Sequence, residues 1–256
     1  MIHLTPRQQM AADLIREGRP LADIGTDHAH LPVALLQQKR IPFAWCCDVN
    51  EGPLQNAKST IHRCRLTAQT QLVLSDGFAA LTPEALSSAS AGQPKPGFYL
   101  PLTENAPNEC HDYVVAGMGG VLTLTLLQEA PWLKDPRNHF VLQPQSRYEL
   151  VREYLFSNGY EILRETAALD HHRPYTAFEV IYTGKVNPFT PSDCYLGKMA
   201  ELPDPELKNR YLTSLSHYLE DQIRGLHQME STPERIAERE KLEPVLRDVR
   251  NLLERS

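Results

Sequence analysis

Apolar runs and polar, turn-forming stretches alternate along the first two-thirds of the chain. Short apolar runs bounded by turn residues are typical of buried strands, and such runs begin near Leu21, Pro42, Leu72, Tyr113 and Phe140. Segments with helical spacing lie over Pro6–Glu17, after Pro32, over Gly52–Cys64 and over Arg147–Ser157. Because strand and helix take turns, the pattern predicts a parallel sheet with helices on both faces.

Two more strands, near Tyr160–Ala167 and Tyr175–Thr183, follow one another with only a short loop between them. This late pair predicts an antiparallel strand at or near one edge of the sheet. We therefore expect an α/β fold, with a mostly parallel, seven-stranded, Rossmann-like sheet.

The chain changes character after Asn187. Apolar residues recur at three- and four-residue steps over Leu212–Leu226 and again over Leu242–Leu253, which is typical of amphipathic helices. An antiparallel helical hairpin, coiled-coil-like, is the simplest arrangement. Pro244 either interrupts the second helix or marks the start of its main segment. The predicted division is a sheet domain over residues 1–186 and a helical domain over residues 187–256.

The stretch between Ser87 and Glu109 is rich in Pro, Ala, Ser, Gly and Asn. This composition predicts a long surface loop or insertion. Its apolar segment Phe98-Tyr99-Leu100 either packs or binds something, and the sequence favours neither.

Composition narrows the class of protein. The chain has 256 residues, of which 41% are hydrophobic and 23% charged, so it can bury a full core. It has no apolar run of about 20 residues and no signal peptide pattern, so we expect a cytoplasmic protein without a membrane span. No two of the five cysteines are spaced C-x-x-C, so neither a metal site nor a disulfide framework is expected. The net charge of −6 weakens a role in nucleic-acid binding, although a local basic patch would suffice.

Polar clusters follow several predicted strands, at the edge where ligands bind in open α/β sheets. In the first, Asp23 could receive a ligand's ammonium group, and Gly25 would let its backbone come close. With a single early glycine, the segment lacks the G-x-G-x-x-G pattern of NAD sites, which disfavours an NAD oxidoreductase. S-adenosylmethionine, a sulfonium amino acid joined to adenosine, needs no pyrophosphate cradle. The alternative is an ordinary strand-to-helix turn with Asp27 as N-cap.

The other clusters fit the same cofactor. Asp48, beside Val49, could accept both ribose hydroxyls, and Asp76, before Gly77, could accept a hydrogen bond from the adenine amino group. Turn residues would look the same. The glycine-rich segment 116–120 removes side chains next to a ligand, although it too could be a tight turn. The assignment of these residues to a single cofactor requires that the strand ends converge on one crevice.

Taken together, the segments Asp23–Pro32, Glu51–Pro53, Asp76–Gly77, Ala116–Gly120 and Leu142–Pro144 resemble the signatures of the TrmK family. The resemblance runs from about Thr5 to Thr183. It implies a class I methyltransferase domain, with the helical C-terminus matching the family's coiled-coil-like domain. It also implies methylation of N1 of adenine 22 in the D-loop of tRNA, with S-adenosylmethionine as donor and S-adenosylhomocysteine as product.

The resemblance and the strand-end positions together give the candidate site residues. The cofactor set is Asp23, Gly25, Asp48, Val49, Asp76, Gly77, Ala116, Gly117, Met118 and Gly119. Near the target base, the resemblance places Asp27 and His30 as catalytic residues, where the family usually has Tyr at the position of His30. The substrate set is His28, Gly120, Gln143, Pro144 and Arg152.

The substrate is the least constrained part of this prediction. A local basic surface for tRNA could come from Arg147, Arg152, Arg164, Arg173, His171 and His172, or these could be scattered solvated charges. A methyltransferase for a small molecule or another RNA would share every cofactor motif. A catalytically inactive RNA-binding relative is a further alternative. The helical hairpin could hold tRNA or a second subunit, so a homodimer stays open.

Overall fold

The computed structural model describes residues 1–90, 106–230 and 232–255. The start of the predicted 87–109 insertion is helical, because a helix covers Pro83–Ser90. The segment Phe98-Tyr99-Leu100 lies outside the described residues.

A seven-stranded sheet forms the centre of the fold, with strand order β3-β2-β1-β4-β5-β7-β6. The strands are β1 (Leu21–Ile24), β2 (Ala44–Asp48), β3 (Thr70–Leu74), β4 (Asp112–Ala116), β5 (His139–Gln143), β6 (Tyr160–Asp170) and β7 (Arg173–Tyr182). The first five strands in sequence are parallel. Strand β7 runs antiparallel to both β5 and β6. The predicted fold class and the late antiparallel pair are confirmed.

The helices follow the predicted alternation. They are α1 (Pro6–Leu14), α2 (His30–Gln37), α3 (Glu51–Cys64), α4 (Pro83–Ser90), α5 (Gly120–Glu129), α6 (Tyr148–Ser157), α7 (Pro191–Leu196), α8 (Pro205–Gln228) and α9 (Pro233–Glu254). Thr5 and Gln8 form a capping box that begins α1. This helix ends three residues before the predicted Glu17, because Ile15 is already extended.

The sheet is buried on both faces because successive residues of a strand point to opposite sides. Cys46 packs in one apolar cluster with Val114, whereas Cys47 packs in the other with Tyr113 and Val115. The two adjacent cysteines therefore face opposite layers. All five cysteines are free thiols.

The C-terminal helices share an apolar cluster of their own, which includes Leu212 and Leu219 of α8 and Leu242 and Val249 of α9. Pro244 lies inside α9 without ending it. Ala167 of β6 also belongs to this cluster, so the hairpin rests on the edge of the sheet. The boundary at residue 186 remains a prediction. None of the helices in the described part of the chain combines the length and apolar character needed to cross a bilayer.

Candidate active site

A crevice opens at the carboxyl ends of the parallel strands. Strand β1 pairs with β2 on one side and β4 on the other, and the chain connects them in opposite directions, which makes this the switch point of the sheet. A cavity of about 220 Å³ lies there. It is lined by Arg7, Gln8, Asp23, Gly25, Thr26, Asp27, His28, His30, Leu31, Ala116, Gly117, Gln143 and Gln145.

Asp23 is the buried acid of this crevice. Its side-chain oxygen accepts a hydrogen bond of 2.7 Å from the Thr26 hydroxyl, and the residue is only 5% exposed. Burial raises the pKa of Asp23 from 3.8 to about 6, the Thr26 hydrogen bond opposes this, and the Asp48 carboxylate adds to it. A cationic ligand group at this position would restore the ionised form.

Gly25 and Gly117 bring backbone to the crevice from two adjacent strands. Both have left-handed backbone angles, with φ of +77° and +83°, a conformation that glycine adopts without strain. The Gly25 amide donates to the Cys47 carbonyl at 2.8 Å. A Cβ atom on Gly25 would clash with the methyl end of Met118. Met118 thus packs over the glycine that sequence analysis assigned to the cofactor.

The loop after β1 carries Asp27, His28 and His30 to the mouth of the crevice. The Asp27 side chain is 64% exposed, and its Oδ1 lies 3.8 Å from Nε2 of His28. The two imidazole rings stack with centroids 5.3 Å apart. Burial, and then His28, lower the pKa of His30, so its ring is neutral at neutral pH.

Asp27 is not an N-cap, contrary to the alternative drawn from the sequence. Helix α2 begins at His30, and its cap position is Ala29, which makes no side-chain cap hydrogen bond. Asp27 itself has φ of +45°, a left-handed conformation that Asp tolerates better than most residues. The carboxylate therefore lies free of the helix end and faces the crevice.

The acids after β2 and β3 lie farther along the same edge of the sheet. Asp48 is nearly buried and accepts a hydrogen bond of 2.9 Å from the Asn50 amide. The neighbouring Val49 is 56% exposed, and Asp76 is exposed. Gly77 faces Leu126 of α5, where a Cβ would clash. These residues do not line the cavity of about 220 Å³. They lie beside it, at the ends of the next two strands of the sheet.

The sequence and fold of the chain match those of known methyltransferases. A family model described as a methyltransferase domain matches residues 4–92 and 100–178. The chain belongs to this methyltransferase domain family. The tRNA (adenine(22)-N(1))-methyltransferase of Bacillus subtilis (strain 168) is 25% identical over 164 residues, which are 64% of this chain and 59% of that protein.

Solved structures agree with the methyltransferase fold over nearly the whole chain. The B. subtilis m1A22 tRNA methyltransferase TrmK has a TM-score of 0.74 at 18% identity, covering 99% of this chain and 100% of that one. TrmK of M. capricolum, solved with S-adenosyl-homocysteine, has a TM-score of 0.71 at 19% identity, covering 98% of each chain. These structures confirm the predicted methyltransferase fold, and the curated relative bears out the resemblance of the chain to a TrmK-type protein. The aligned region spans about three-fifths of the length of the curated relative from B. subtilis.

The rest of the glycine-rich segment serves the methyltransferase scaffold. Gly120, expected to bind substrate, is buried, and its amide donates to the Ser146 carbonyl at 2.9 Å. A Cβ there would clash with that oxygen and lie 2.7 Å from the Arg147 carbonyl. Gly120 is therefore needed for close backbone packing, and it does not line the crevice. Gly119 has an ordinary extended conformation and caps α5.

Gln143 lines the crevice while holding its wall. Its Oε1 accepts a hydrogen bond of 3.2 Å from the Gly117 amide, and its Nε2 donates to the Pro144 carbonyl at 3.1 Å. With 1% exposure, Gln143 supports the loops more than it presents a free polar group. Pro144 is buried and is not part of the cavity lining.

The prediction that Arg152 binds the substrate is wrong, because the residue is buried. Its side chain is 0% exposed and forms an ion pair with Glu165. It also donates to the carbonyls of Cys194 at 2.7 Å and Tyr195 at 3.1 Å, and lies over the Phe178 ring. A buried arginine with all these partners has no face left for RNA, because it joins α6 to β6 and α7.

The other basic residues that were expected to form a tRNA surface do not lie together: one forms an ion pair, one is exposed on a turn, and three line a second cavity. Arg164 pairs with Glu179, and His171 is exposed on the β6–β7 turn. Arg147, His172 and Arg173 line a cavity of about 520 Å³ between the sheet domain and α8. Residues 1–90, 106–230 and 232–255 hold no group of three or more His, Cys, Asp and Glu suited to a metal ion.

Sequence analysis missed Arg7 and Gln8, which line the crevice from the first turn of α1. Helical periodicity assigns such residues only to a solvent-facing turn, and no motif surrounds them. The one usable signal is chain order, because α1 directly precedes β1, the strand that carries Asp23.

Proposed function

We propose that this protein transfers a methyl group from S-adenosylmethionine to N1 of an adenine in tRNA, at position 22 in the D-loop. The observation that carries the proposal is the convergence of Asp23, Gly25, Asp27, His30 and Gly117 on one crevice at the switch point of the sheet. The curated relative in B. subtilis bears the name of this reaction. The alignment covers about three-fifths of that relative, so its substrate is a proposal for this chain.

The residues present fit S-adenosylmethionine. Asp23 is a buried acid at the cavity wall whose only side-chain partner among the described residues is a hydroxyl, so it suits the ammonium group of an amino acid. Gly25 and Gly117 leave the backbone bare on either side. Asp48, one strand away, suits the ribose hydroxyls, and Asp76 suits the adenine amino group. When bound, the cofactor supplies an electrophilic methyl group on its sulfonium sulfur.

The chain's own residues then orient the target. Adenine N1 carries a free lone pair, so its methylation depends more on positioning than on strong activation. The exposed carboxylate of Asp27 can accept a hydrogen bond from N6, which selects adenine and stabilises the positive charge that arises on the ring. Neutral His30, stacked on His28, offers a flat surface against the base. To reach this crevice, the base leaves its stack in the tRNA.

The loop after β4 supports a ring nitrogen as the acceptor. Methyltransferases that act on exocyclic amino groups usually carry Asn/Asp-Pro-Pro-aromatic at this place. This chain has Ala116-Gly117-Met118-Gly119 instead, with no side chain suited to hold an amino group. We place the reaction in the cytoplasm, with tRNA as partner, and keep a homodimer open.

Mapping of the methyl group tests the proposal. Full-length protein is incubated with isotopically labelled S-adenosylmethionine and an unmodified tRNA transcript, and the product is located by nuclease digestion and mass spectrometry. We expect 1-methyladenosine at position 22, and no product on a transcript carrying guanosine there. Label at another position, or incorporation only into a small molecule, would overturn the assignment.

Asp27→Ala separates catalysis from cofactor binding. Loss of a group that acts on the reacting base typically costs about 10² to 10⁴ in rate, so we expect kcat to fall by at least about a hundredfold. Calorimetric affinity for S-adenosylmethionine should stay within about twofold of wild type, because Asp27 lies at the mouth of the crevice. Asp221→Ala, at an exposed position of α8 that does not line the crevice, serves as the matched control. A loss of cofactor affinity in Asp27→Ala would show that its role is misassigned.

A further inference from the structure

The cavity of about 520 Å³ between the sheet domain and α8 adjoins the proposed active site. Gln145 lines both cavities. Tyr175 lines the larger one and carries Arg7 over its ring at 5.4 Å, while Arg7 lines the smaller one. A ligand chain can therefore pass from one cavity to the other along Gln145, Arg7 and Tyr175.

The chemistry of the larger cavity differs from an ordinary joint between domains. Among the described residues, its lining includes Arg147, Arg173 and Arg210 but only one acid, Glu149. That acid pairs with Arg147, and Arg210 pairs with Glu206 outside the cavity. Arg173 is exposed and has no ion pair within the ranges that the structure describes. The guanidinium of Arg173 is therefore an unpaired positive charge on this cavity, in a chain whose net charge is −6.

Aromatic rings accompany these charges. The lining includes Tyr148, Tyr175, Tyr195, Tyr211 and Tyr218. Tyr195 and Tyr211 are buried in the packing, whereas Tyr148, Tyr175 and Tyr218 are only half-buried. Rings beside arginines suit single-stranded nucleic acid, because bases stack on rings while guanidinium groups hold phosphates. The volume falls within the roughly 300–1,000 Å³ of ligand pockets.

We infer that this cavity is a second nucleotide subsite, which takes a nucleotide neighbouring the target adenine in the same RNA strand. Tyr218 supplies a stacking surface from α8, Arg173 holds a phosphate, and Arg7 lies at the passage between the two cavities. The inference rests on the proposed function, because the strand is that of the methyl-accepting RNA. It gives the helical hairpin a direct part in holding the substrate.

Equilibrium binding of an unmodified tRNA transcript to the full-length protein tests the subsite. We expect Arg173→Ala to weaken tRNA binding about tenfold and to reduce the slope of log Kd against log salt by about one, because one phosphate contact is lost. Tyr218→Ala should weaken binding by about fivefold or more, whereas Tyr218→Phe, which keeps the ring, should bind as wild type. Affinity for S-adenosylmethionine should be unchanged in all three.

Arg224→Ala is the matched control, since Arg224 lies on α8 but pairs with Asp221 and does not line the cavity. Circular dichroism verifies that each variant is folded. Arg173→Glu changes an exposed side chain, so it tests the subsite without the loss of ring packing that Tyr218→Ala entails. Binding of Arg173→Ala, Arg173→Glu and Tyr218→Ala within twofold of this control would overturn the subsite. If the wild-type protein methylates tRNA while these variants bind it as the control does, the subsite proposal is contradicted and the proposed function stands. If wild type methylates only a small molecule, the proposed function fails too.

Discussion

Asp23 combines two demands in a single side chain. It belongs to a fully buried strand, so it is shielded from water, and it lies on the wall of the crevice, where a carboxylate can bind a cation. Burial and the nearby Asp48 carboxylate raise its pKa to about 6. The free protein therefore holds an acid that titrates close to neutrality, and its charge is stabilised once an ammonium group arrives.

The first prediction concerns cofactor affinity and pH. Because binding of the ammonium group requires ionised Asp23, affinity for S-adenosylmethionine should be constant between about pH 6 and about pH 7, above which the cofactor's own amino group begins to lose its proton. Below about pH 6 it should fall, approaching tenfold per pH unit. Calorimetry between pH 5 and pH 7 measures this profile. Asp23→Asn should bind weakly with a flat profile over the same range. A wild-type profile as flat as that of the variant would contradict the assignment.

The second prediction concerns the stability of the free protein. Since folding raises the pKa of Asp23 from 3.8 to about 6, the unfolded chain loses this proton first as pH rises. The folded protein is therefore destabilised progressively between about pH 4 and pH 6 and stays so above pH 6. The shift corresponds to about 3 kcal/mol as an upper value.

Asp23→Asn should accordingly raise the free energy of unfolding at pH 7 by up to about 3 kcal/mol, because its amide oxygen can still accept the Thr26 hydrogen bond. The gain should vanish below about pH 4, where wild-type Asp23 is protonated. Urea unfolding at pH 4 and pH 7 measures the difference. A variant that is less stable than wild type at pH 7 would show that burial of the ionised carboxylate does not destabilise the folded protein.

Individual residues also show where sequence reasoning stops. Asp23 and Gly25 could be identified because a carboxyl group and a glycine at the end of an apolar strand lie at the edge of the sheet where ligands bind. Arg152 could not be placed correctly, since its burial depends on Glu165, Cys194 and Tyr195, which are distant in sequence. An arginine is expected at the surface until the fold supplies such partners.

At the scale of elements, the alternation of strands and helices and the positions of the strand ends were predictable because apolar runs and turn residues alternate so regularly. The roles within the turn after β4 were not. The sequence shows several adjacent glycines, yet Gly117 has a left-handed φ of +83°, Gly119 is an ordinary cap, and Gly120 packs against backbone. Only the position of the β5–α6 connection distinguishes these roles, and no local pattern encodes it.

The third prediction uses this difference within one turn. Gly120→Ala places a Cβ against the Ser146 and Arg147 carbonyls, which belong to backbone that cannot rotate away. We expect a loss of about 1–3 kcal/mol in the free energy of unfolding, as for overpacked interiors. Gly119→Ala meets only the Ser146 hydroxyl at 3.5 Å and should cost less than about 1 kcal/mol. Thermal unfolding of the two variants measures the contrast, and equal losses would contradict it.

At the scale of the whole molecule, the sheet domain and the helical hairpin meet through a buried charge. Arg152 of α6 pairs with Glu165 of β6, and both side chains are 0% exposed. Arg152 reaches onward to the carbonyls of Cys194 and Tyr195 at the end of α7, and Gly197 leaves the space that its guanidinium fills. The larger cavity, lined in part by Tyr195 and Tyr211, depends on this joint for its shape.

The fourth prediction tests the joint. Arg152→Met leaves Glu165 buried without its cation, which should cost about 3–5 kcal/mol, measured by urea unfolding. Arg152→Met combined with Glu165→Leu removes both charges and should recover most of that loss. Arg210→Ala, which breaks the exposed pair with Glu206, should cost less than about 1 kcal/mol. Because the joint positions α8 beside the crevice, Arg152→Met should also weaken tRNA binding, while the double variant restores it. Unfolding of Arg152→Met at the wild-type urea concentration would mean that apolar packing alone holds the hairpin on the sheet.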